Sequence, residues 1–386
     1  MIEYTDSVRR LLDQGNYVLS IFVDLTKAFD TVDHEILLYK LERYGIRGHA
    51  NDFFRSYLSN RQQYTVINGA ESSRKTVKCG VPQGSVLGPI LFLVYINDMY
   101  TALQEDSVRL FADDTSLTLF DRSFKTVLAK AKDQFSKLRH WCTYNKLTIN
   151  QDKTFLILFH ATNKPVPLNF SDITVDDFII KRVTNVKYIG LNIDEKLNWR
   201  EHVYDLCKSL IKYFGIFNKV KYFVTSKLAR QLYFAFIYSR INYGIEVYGV
   251  CAKSLMQKLQ ILQSKLLKLL LRLDSRTSTN KLHKELNILK VQDVYKVNIL
   301  LFVNTCLNGN CPEIFEMYFS FHQPLYSTRS QGTLAIPRTR TTLGSLNSKI
   351  QGPNLWNSTN NNILRHRHKI CFKRHCVKSI IDSYIV

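Results

Sequence analysis

Apolar positions along this 386-residue chain change their period several times, and each change predicts an element. Val18 to Val23 is a short apolar run of strand length that stops at Asp24, the pattern of a buried strand ending on a carboxylate. A helix follows Phe29, with Thr31 as its cap and Gly45 as its stop. Between 40 and 80 the chain predicts a further helix and then a hairpin over RQQYTVINGAESSRKTVKCG. GVPQGSVLGP, residues 80 to 89, is a glycine- and proline-rich turn that lets backbone approach a ligand closely. Its successor, ILFLVYINDM, is apolar almost all round and predicts a buried helix. VRLFADDTSLTLF, from 108, reads as two short strands whose connecting tip carries Asp113 and Asp114. TFLILF predicts a strand with Lys153 just before it, and VKYIGLNID predicts two short strand pieces around Gly190.

In the later half the period becomes helical. Leu255, Leu259, Leu262, Leu266, Leu269 and Leu273 share one face, with Lys258, Lys265, Lys268 and Arg272 on another part of the same helix. Hairpins and helices mix without a βαβ rhythm, which places the fold in the α+β class: an antiparallel sheet with helices, then an all-α segment. Three domains are expected, at 1–192, 195–290 and 291–386.

Charge adds a partner to this outline. The chain holds 53 Lys and Arg against 32 Asp and Glu, for a net charge of +21 and a pI near 9.6, which suits a polyanion. The excess is uneven: residues 1–120 have 12 basic and 15 acidic side chains, and residues 121–386 have 41 and 17. Only Asp382 is acidic from 321 onward, so that segment is expected to be loosely ordered until it binds. Eight cysteines without regular spacing, and no secretory signal after MIEYTD, predict reduced thiols in an intracellular protein. Cys371, His375 and Cys376, with His366 and His368, match neither a CxxC pair nor a zinc knuckle. The longest apolar stretch, around Ile90 to Ile96, is far short of the roughly 20 residues that span a bilayer, so no membrane partner is expected.

The candidate chemistry lies in three aspartates. A strand ending on Asp24, beside a hairpin tip with Asp113 and Asp114, offers oxygen ligands to hard cations, the equipment of two-metal phosphoryl transfer. Paired aspartates are also ordinary turn formers, and these residues alone leave both readings open.

Six ordered blocks change the weighting: VDLTKAFDTVDH from 23, SYLSNRQQYTVING from 56, GVPQGSVLGPILFLVYINDM from 80, FADDTSL from 111, LTINQDKT from 147 and VKYIGLNID from 186. Together they resemble the reverse transcriptases of jockey-like non-LTR retrotransposons, more loosely after residue 195. The resemblance implies an RNA-directed DNA polymerase with a palm and part of the fingers over 1–192, a helical thumb over 195–290 and a basic C-terminal region over 291–386. It implies two Mg²⁺ ions, or Mn²⁺, on Asp24, Asp113, Asp114 and the carbonyl of Leu25. Lys153 would stand near the departing pyrophosphate as a general acid. Phe29 would exclude a ribose 2′-OH, and Gln83 and Gly84 would contact the nucleotide and its template base.

The turn with Tyr188 and Gly190 would grip the primer terminus, and Arg61 would touch template or a phosphate. Lys258, Lys265, Lys268 and Arg272 would lie along the primer–template duplex. Partners would be an RNA template, a DNA primer and dNTPs, with nuclear access and a cytoplasmic RNA–protein stage. Family members carry a substantial fingers segment before the first aspartate block, whereas 23 residues precede Asp24 here, so impaired synthesis is an expectation. Two alternatives stand beside this reading: an inactive remnant that only binds nucleic acid, and an RNA-dependent RNA polymerase.

Overall fold

The computed structural model describes residues 1–104, 108–161, 164–167, 170–322 and 332–385. Its contacts divide the chain into two compact units, residues 16–189 and residues 1–15 together with 190–386, where three segments were expected. The first helix, α1 (Ile2–Asp13), belongs by its contacts to the unit that also holds residues 190–386.

The unit 16–189 is built on β1 (Tyr17–Val23), buried at all seven positions. After α2 (His34–Arg43) and α3 (His49–Leu58) comes a projecting arm of short strands, β2 (Gln62–Gln63), β3 (Val66–Ile67), β4 (Ala70–Glu71) and β5 (Lys75–Thr76). Asn68 and Gly69 close its tip with φ of +50° and +83°, the left-handed pair that an Asn-Gly hairpin turn requires. Next come α4 (Leu87–Ile96), β6 (Val108–Phe111), β7 (Asp114–Asp121), α5 (Phe124–Tyr144), β8 (Phe155–Phe159), β9 (Ile173–Val175), β10 (Phe178–Arg182) and β11 (Asn185–Tyr188).

Six strands form one sheet in the order β6-β7-β1-β8-β10-β9. β10 runs parallel to β8, so the sheet is mixed, not wholly antiparallel as expected. Alternation sends Tyr17, Leu19, Ile21 and Val23 of β1 into the core with Phe135 and Leu138 of α5 and Phe92 of α4. Phe22 looks the other way, its ring 4.9 Å from that of Tyr188.

Two sequence expectations fail locally. Asp33, not Thr31, caps α2: its Oδ1 accepts from Ile36 N–H at 3.0 Å, while Thr31 Oγ1 bonds back to Lys27 O. Gly45 does stop that helix, at φ +92°, with Ile46 N–H donating to Leu41 O as in a Schellman motif. Helix α4 is only half buried: Leu91, Phe92 and Tyr95 face the core, but Val86 just before it, Ile90 and Leu93 are 86 %, 54 % and 50 % exposed. An all-round apolar composition fixes no facing direction, so burial there follows from packing alone.

The other unit is helical apart from β12 (Leu191–Asp194). It holds α6 (Arg200–Val220), α7 (Ser226–Leu232), α8 (Ser239–Asn242), α9 (Ile245–Tyr248), α10 (Lys253–Leu270), α11 (Thr279–Glu285), α12 (Val291–Leu307), α13 (Thr342–Ser345), α14 (Ser348–Asn357), α15 (Asn361–Leu364) and α16 (Lys369–Asp382). α10 packs on α6 and α12, and α12 also carries α14 and α16. The region after 332 is therefore folded, with Trp356 and Phe372 buried ring to ring at 5.8 Å, where a loosely ordered tail was expected. Residues 323–331 of that segment lie outside the described residues. α1 joins the unit through buried charge: Asp6 accepts from Ser348 N–H and Oγ, and Arg9 donates to Leu346 O at 3.2 Å and Val247 O at 3.5 Å. No described helix is long and apolar enough to cross a membrane.

Candidate active site

Strand register assembles the aspartates. β1 and β7 are antiparallel, with Val23 opposite Thr115, so the next pair outward sets Asp24 against Asp114 on one face of the sheet. Phe111 pairs with Asp114, which leaves Ala112 and Asp113 as a two-residue loop. Ala112 takes φ +51° there, a left-handed conformation that costs an ordinary residue about 1–2 kcal/mol and is tolerated where the surroundings demand it.

Burial raises the pKa of the Asp114 carboxyl, the charges of Asp113 and Asp24 raise it further, and a bond from Ile189 N–H opposes both. Lys153, at the end of a short 3₁₀ turn, brings its ammonium to 3.9 Å from Asp24 Oδ2. The carbonyl of Leu25 stands outside its local ladder, whose bonds run from Thr26 N–H to Thr148 O and from Asn150 N–H to Asp24 O. Among the described residues no three His, Cys, Asp or Glu side chains are gathered tightly enough to hold a metal ion. The donor set still fits a hard divalent cation, since a carboxyl whose pKa is raised by two neighbouring carboxylates is what such an ion neutralises.

The loop after Asp24 docks on the glycine-rich turn. Gly80 N–H donates to Val32 O at 2.7 Å, Val81 N–H to Phe29 O at 2.8 Å, and Gln83 Nε2 to Asp30 Oδ1 at 2.8 Å. Gly80 is obligatory: at φ +90° a Cβ would sit 2.8 Å from Asp30 O. Gly84, at φ +80°, has open space beside it, which suits backbone approach to a ligand. Phe29 is half-buried, stacked on Phe92 at 4.4 Å, so it is both a core aromatic and a partly open one. Asp24, Leu25, Phe29, Gln83, Gly84, Asp113, Asp114 and Lys153 thus belong to one compact unit.

The expected nucleic-acid contacts fare unevenly. Arg61 is exposed at the base of the arm, its guanidinium 5.4 Å from the centre of the Tyr57 ring. The side chain of Tyr188 is turned inward by strand alternation, 5 % exposed with its hydroxyl 3.2 Å from Ser116 Oγ, where an open contact residue was expected. Gly190 holds φ +73°, as the turn requires. Lys258 is exposed but rests on Tyr204, Lys265 is exposed, and Lys268 donates to Ser275 O at 2.6 Å. Arg272 is exposed, but its expected place on the helix is corrected, because α10 ends at Leu270 and Arg272 sits beyond it at φ +55°.

Sequence reasoning passed over Tyr243 and Gly244. A Cβ on Gly190 would meet the Tyr243 ring at 3.0 Å, and one on Gly244 would meet Leu191 Cδ1 at 2.7 Å, so the two segments interlock through paired glycines. The signal was a glycine in INYG with no turn partner nearby, which marks close approach as readily as a bend.

Residues 2–193 match the family described as reverse transcriptase (RNA-dependent DNA polymerase). Over 294 residues the chain is 26% identical to the RNA-directed DNA polymerase from mobile element jockey of Drosophila melanogaster, covering 73% of this chain and 31% of that protein. It is 25% identical over 305 residues to the probable RNA-directed DNA polymerase from transposon BS of the same organism, covering 75% and 33%. The corresponding protein of transposon X-element is 25% identical over 290 residues, covering 73% and 31%. The chain spans about a third of the length of these curated relatives. Each similarity covers more residues than the 2–193 match, so it continues into the helical unit.

Proposed function

Since residues 2–193 of this chain belong to the reverse transcriptase family, alongside the polymerases of jockey-like non-LTR retrotransposons, we propose that the protein extends a DNA primer with dNTPs on an RNA template. The observation that carries this is the closeness of Asp24 and Asp113 to Asp114, whose carboxyl both charges perturb, with Lys153 facing Asp24 at 3.9 Å. Asp24, Asp113, Asp114 and the Leu25 carbonyl would hold two Mg²⁺ ions, with Mn²⁺ as a substitute. Bound there, the ions would lower the pKa of the primer hydroxyl and neutralise the leaving pyrophosphate.

The chain's own side chains do the rest. Lys153 donates a proton to the departing pyrophosphate. Phe29, backed by Phe92, is rigid enough to exclude a 2′-hydroxyl. Gln83, oriented by Asp30, and Gly84 meet the incoming nucleotide and its template base. On this reading the sheet, with the arm, serves as palm and part of the fingers, and α6 to α11, within 195–290, form the thumb. Lys258, Lys265 and Arg272 then face phosphate, and the work is done in the nucleus after a cytoplasmic RNA–protein stage.

Primer extension on an RNA template in Mg²⁺, with dNTPs against rNTPs, tests the proposal. Extension with dNTPs alone is expected, falling at least 10³-fold in Asp113→Asn while RNA binding persists. Preference for rNTPs would favour the RNA polymerase alternative, and RNA binding without any synthesis would favour the remnant. Neither alternative is favoured by the relatives, which are named RNA-directed DNA polymerases.

A further inference from the structure

The basic run near the C-terminus is not used by the polymerase reading, and the fold gives it a shape. From 317 to 381 the chain has no acidic residue. Within that stretch, Arg365, Arg367, Lys369, Lys373, Arg374 and Lys378 are all exposed, and among the described residues none has a carboxylate partner. Other exposed cations of this protein do find partners, such as Arg55 with Glu35 and Lys137 with Asp133. Six unpaired charges within fourteen residues are a concentration that folding alone does not favour, because like charges repel.

Two of the cations lie on the segment before α16 and four on the helix, and the structure fixes both parts. Asn304 Nδ2 donates to His366 O at 3.2 Å and Asn308 Nδ2 to Arg367 O at 3.3 Å, so α12 holds the segment from beneath. The His366 and His375 rings stack at 3.8 Å, tying that segment to the second turn of α16. His375 Nδ1 donates to Cys371 O at 2.8 Å, which orients the ring. Between these cations, Phe372, Cys376 and Ile381 of α16 are buried against the unit. The cations are therefore one exposed cluster carried on a fixed support, spread over the open surface of α16 and the segment before it.

Helix stability does not explain their placement. Lys369 opens α16 with no acidic residue in the first turn and no side-chain cap from His368, an arrangement the helix dipole disfavours. A polyanion laid on this face would offset both that cost and the mutual repulsion. Ile370 is the one large apolar side chain exposed on the helix, which is too little for a lipid surface and argues for phosphodiester contacts instead.

We propose that the face formed by Arg365, Arg367, Lys369, Lys373, Arg374 and Lys378 is a second, metal-independent nucleic-acid site that grips the phosphate backbone of single-stranded RNA without reading its sequence. The choice of nucleic acid over other polyanions rests on the polymerase reading; the site itself does not need the aspartates. It would hold the RNA at a point outside the reaction, raising its local concentration and slowing its loss.

The test uses the full chain in EDTA, with fluorescein-labelled 20-nucleotide polyuridine read by anisotropy across a range of salt. Neutralising three contacts in Lys369→Gln/Lys373→Gln/Arg374→Gln should reduce the slope of log affinity against log salt by about 2, at roughly 0.7 per single-strand contact. The conservative Lys369→Arg/Lys373→Arg protein should keep the slope of the unmodified one, and Asp113→Asn should leave it unchanged. Arg365→Gln/Arg367→Gln, which leaves α16 untouched, should reduce the slope by about 1.4 and guards against misfolding of the triple variant. An unaltered slope in both neutralised proteins would overturn the proposal. So would a loss confined to binding of phosphatidylserine vesicles. Because no metal or nucleotide is present, failure here is separable from failure of primer extension.

Discussion

Asp114 carries a charge that its surroundings resist: burial first, then Asp113 and Asp24, against one bond from Ile189 N–H. A carboxyl whose folded pKa lies above its unfolded value binds its proton more readily in the folded state. It therefore favours folding below the unfolded carboxylate pKa and loses that contribution as pH rises through the folded one. At neutral pH without metal the three carboxylates are a liability, discounted here because Asp114 is exposed to solvent. Asp113→Asn should therefore raise the melting temperature in EDTA by about 1–2 °C and remove most of the further rise that Mg²⁺ gives the unmodified protein. Differential scanning fluorimetry with and without Mg²⁺ checks both; an unchanged Mg²⁺ response would detach Asp113 from the ion.

At this scale the aspartates were legible because chemistry limits what paired carboxylates beside a strand end can do. Tyr188 was not, since its inward orientation depends on which face of the local strand meets Phe22, and no residue type announces that.

Among elements, the closest dependence is between the loop after β1 and the turn at 80–84. Gly80 approaches Asp30 backbone so closely that any side chain must displace the turn, and Gln83 with it. Gly80→Ala is expected to cost the sheet unit about 2–3 kcal/mol, from left-handed strain together with the clash, and to abolish incorporation. Urea unfolding and primer extension read the two effects; full stability would mean that the loop moves freely. The glycine–proline content made a turn here plain, whereas its docking partner was hidden because backbone-to-backbone bonds leave no side-chain trace. The cap of α2 shows the converse problem. Thr31 and Asp33 are both good caps by residue type, and Lys146 helps decide between them, since its ammonium lies 2.6 Å from Asp33 Oδ2 across 113 residues. Burial tends to raise the Asp33 pKa, but Lys146 and the helix N–H groups outweigh it and hold it below the usual range.

Over the whole molecule, the boundary near 190 was visible as a change from strand to helical period, and the allegiance of α1 was not. Its seven buried positions could have served either unit; what assigns them is a polar fit to residues over three hundred positions away. Asp6 and Arg9 are both buried, 3.7 Å apart, and burial pushes the first carboxyl up and the guanidinium down. Removing one partner strands the other, so Arg9→Ala should destabilise the helical unit by about 3–5 kcal/mol while the sheet unit keeps its own transition. Calorimetry should then show two separated unfolding events; a single unshifted one would mean that the pair is hydrated.

That interlocking of first and last residues has a consequence for synthesis. On the ribosome, α1 precedes residues 16 to 189 but waits for Asn347 and Ser348 before it can complete its packing, while everything from 16 to 189 is already free to close. The helical unit is thus stitched shut across more than three hundred positions, a slow closure by topology, and the sheet is the part finished first.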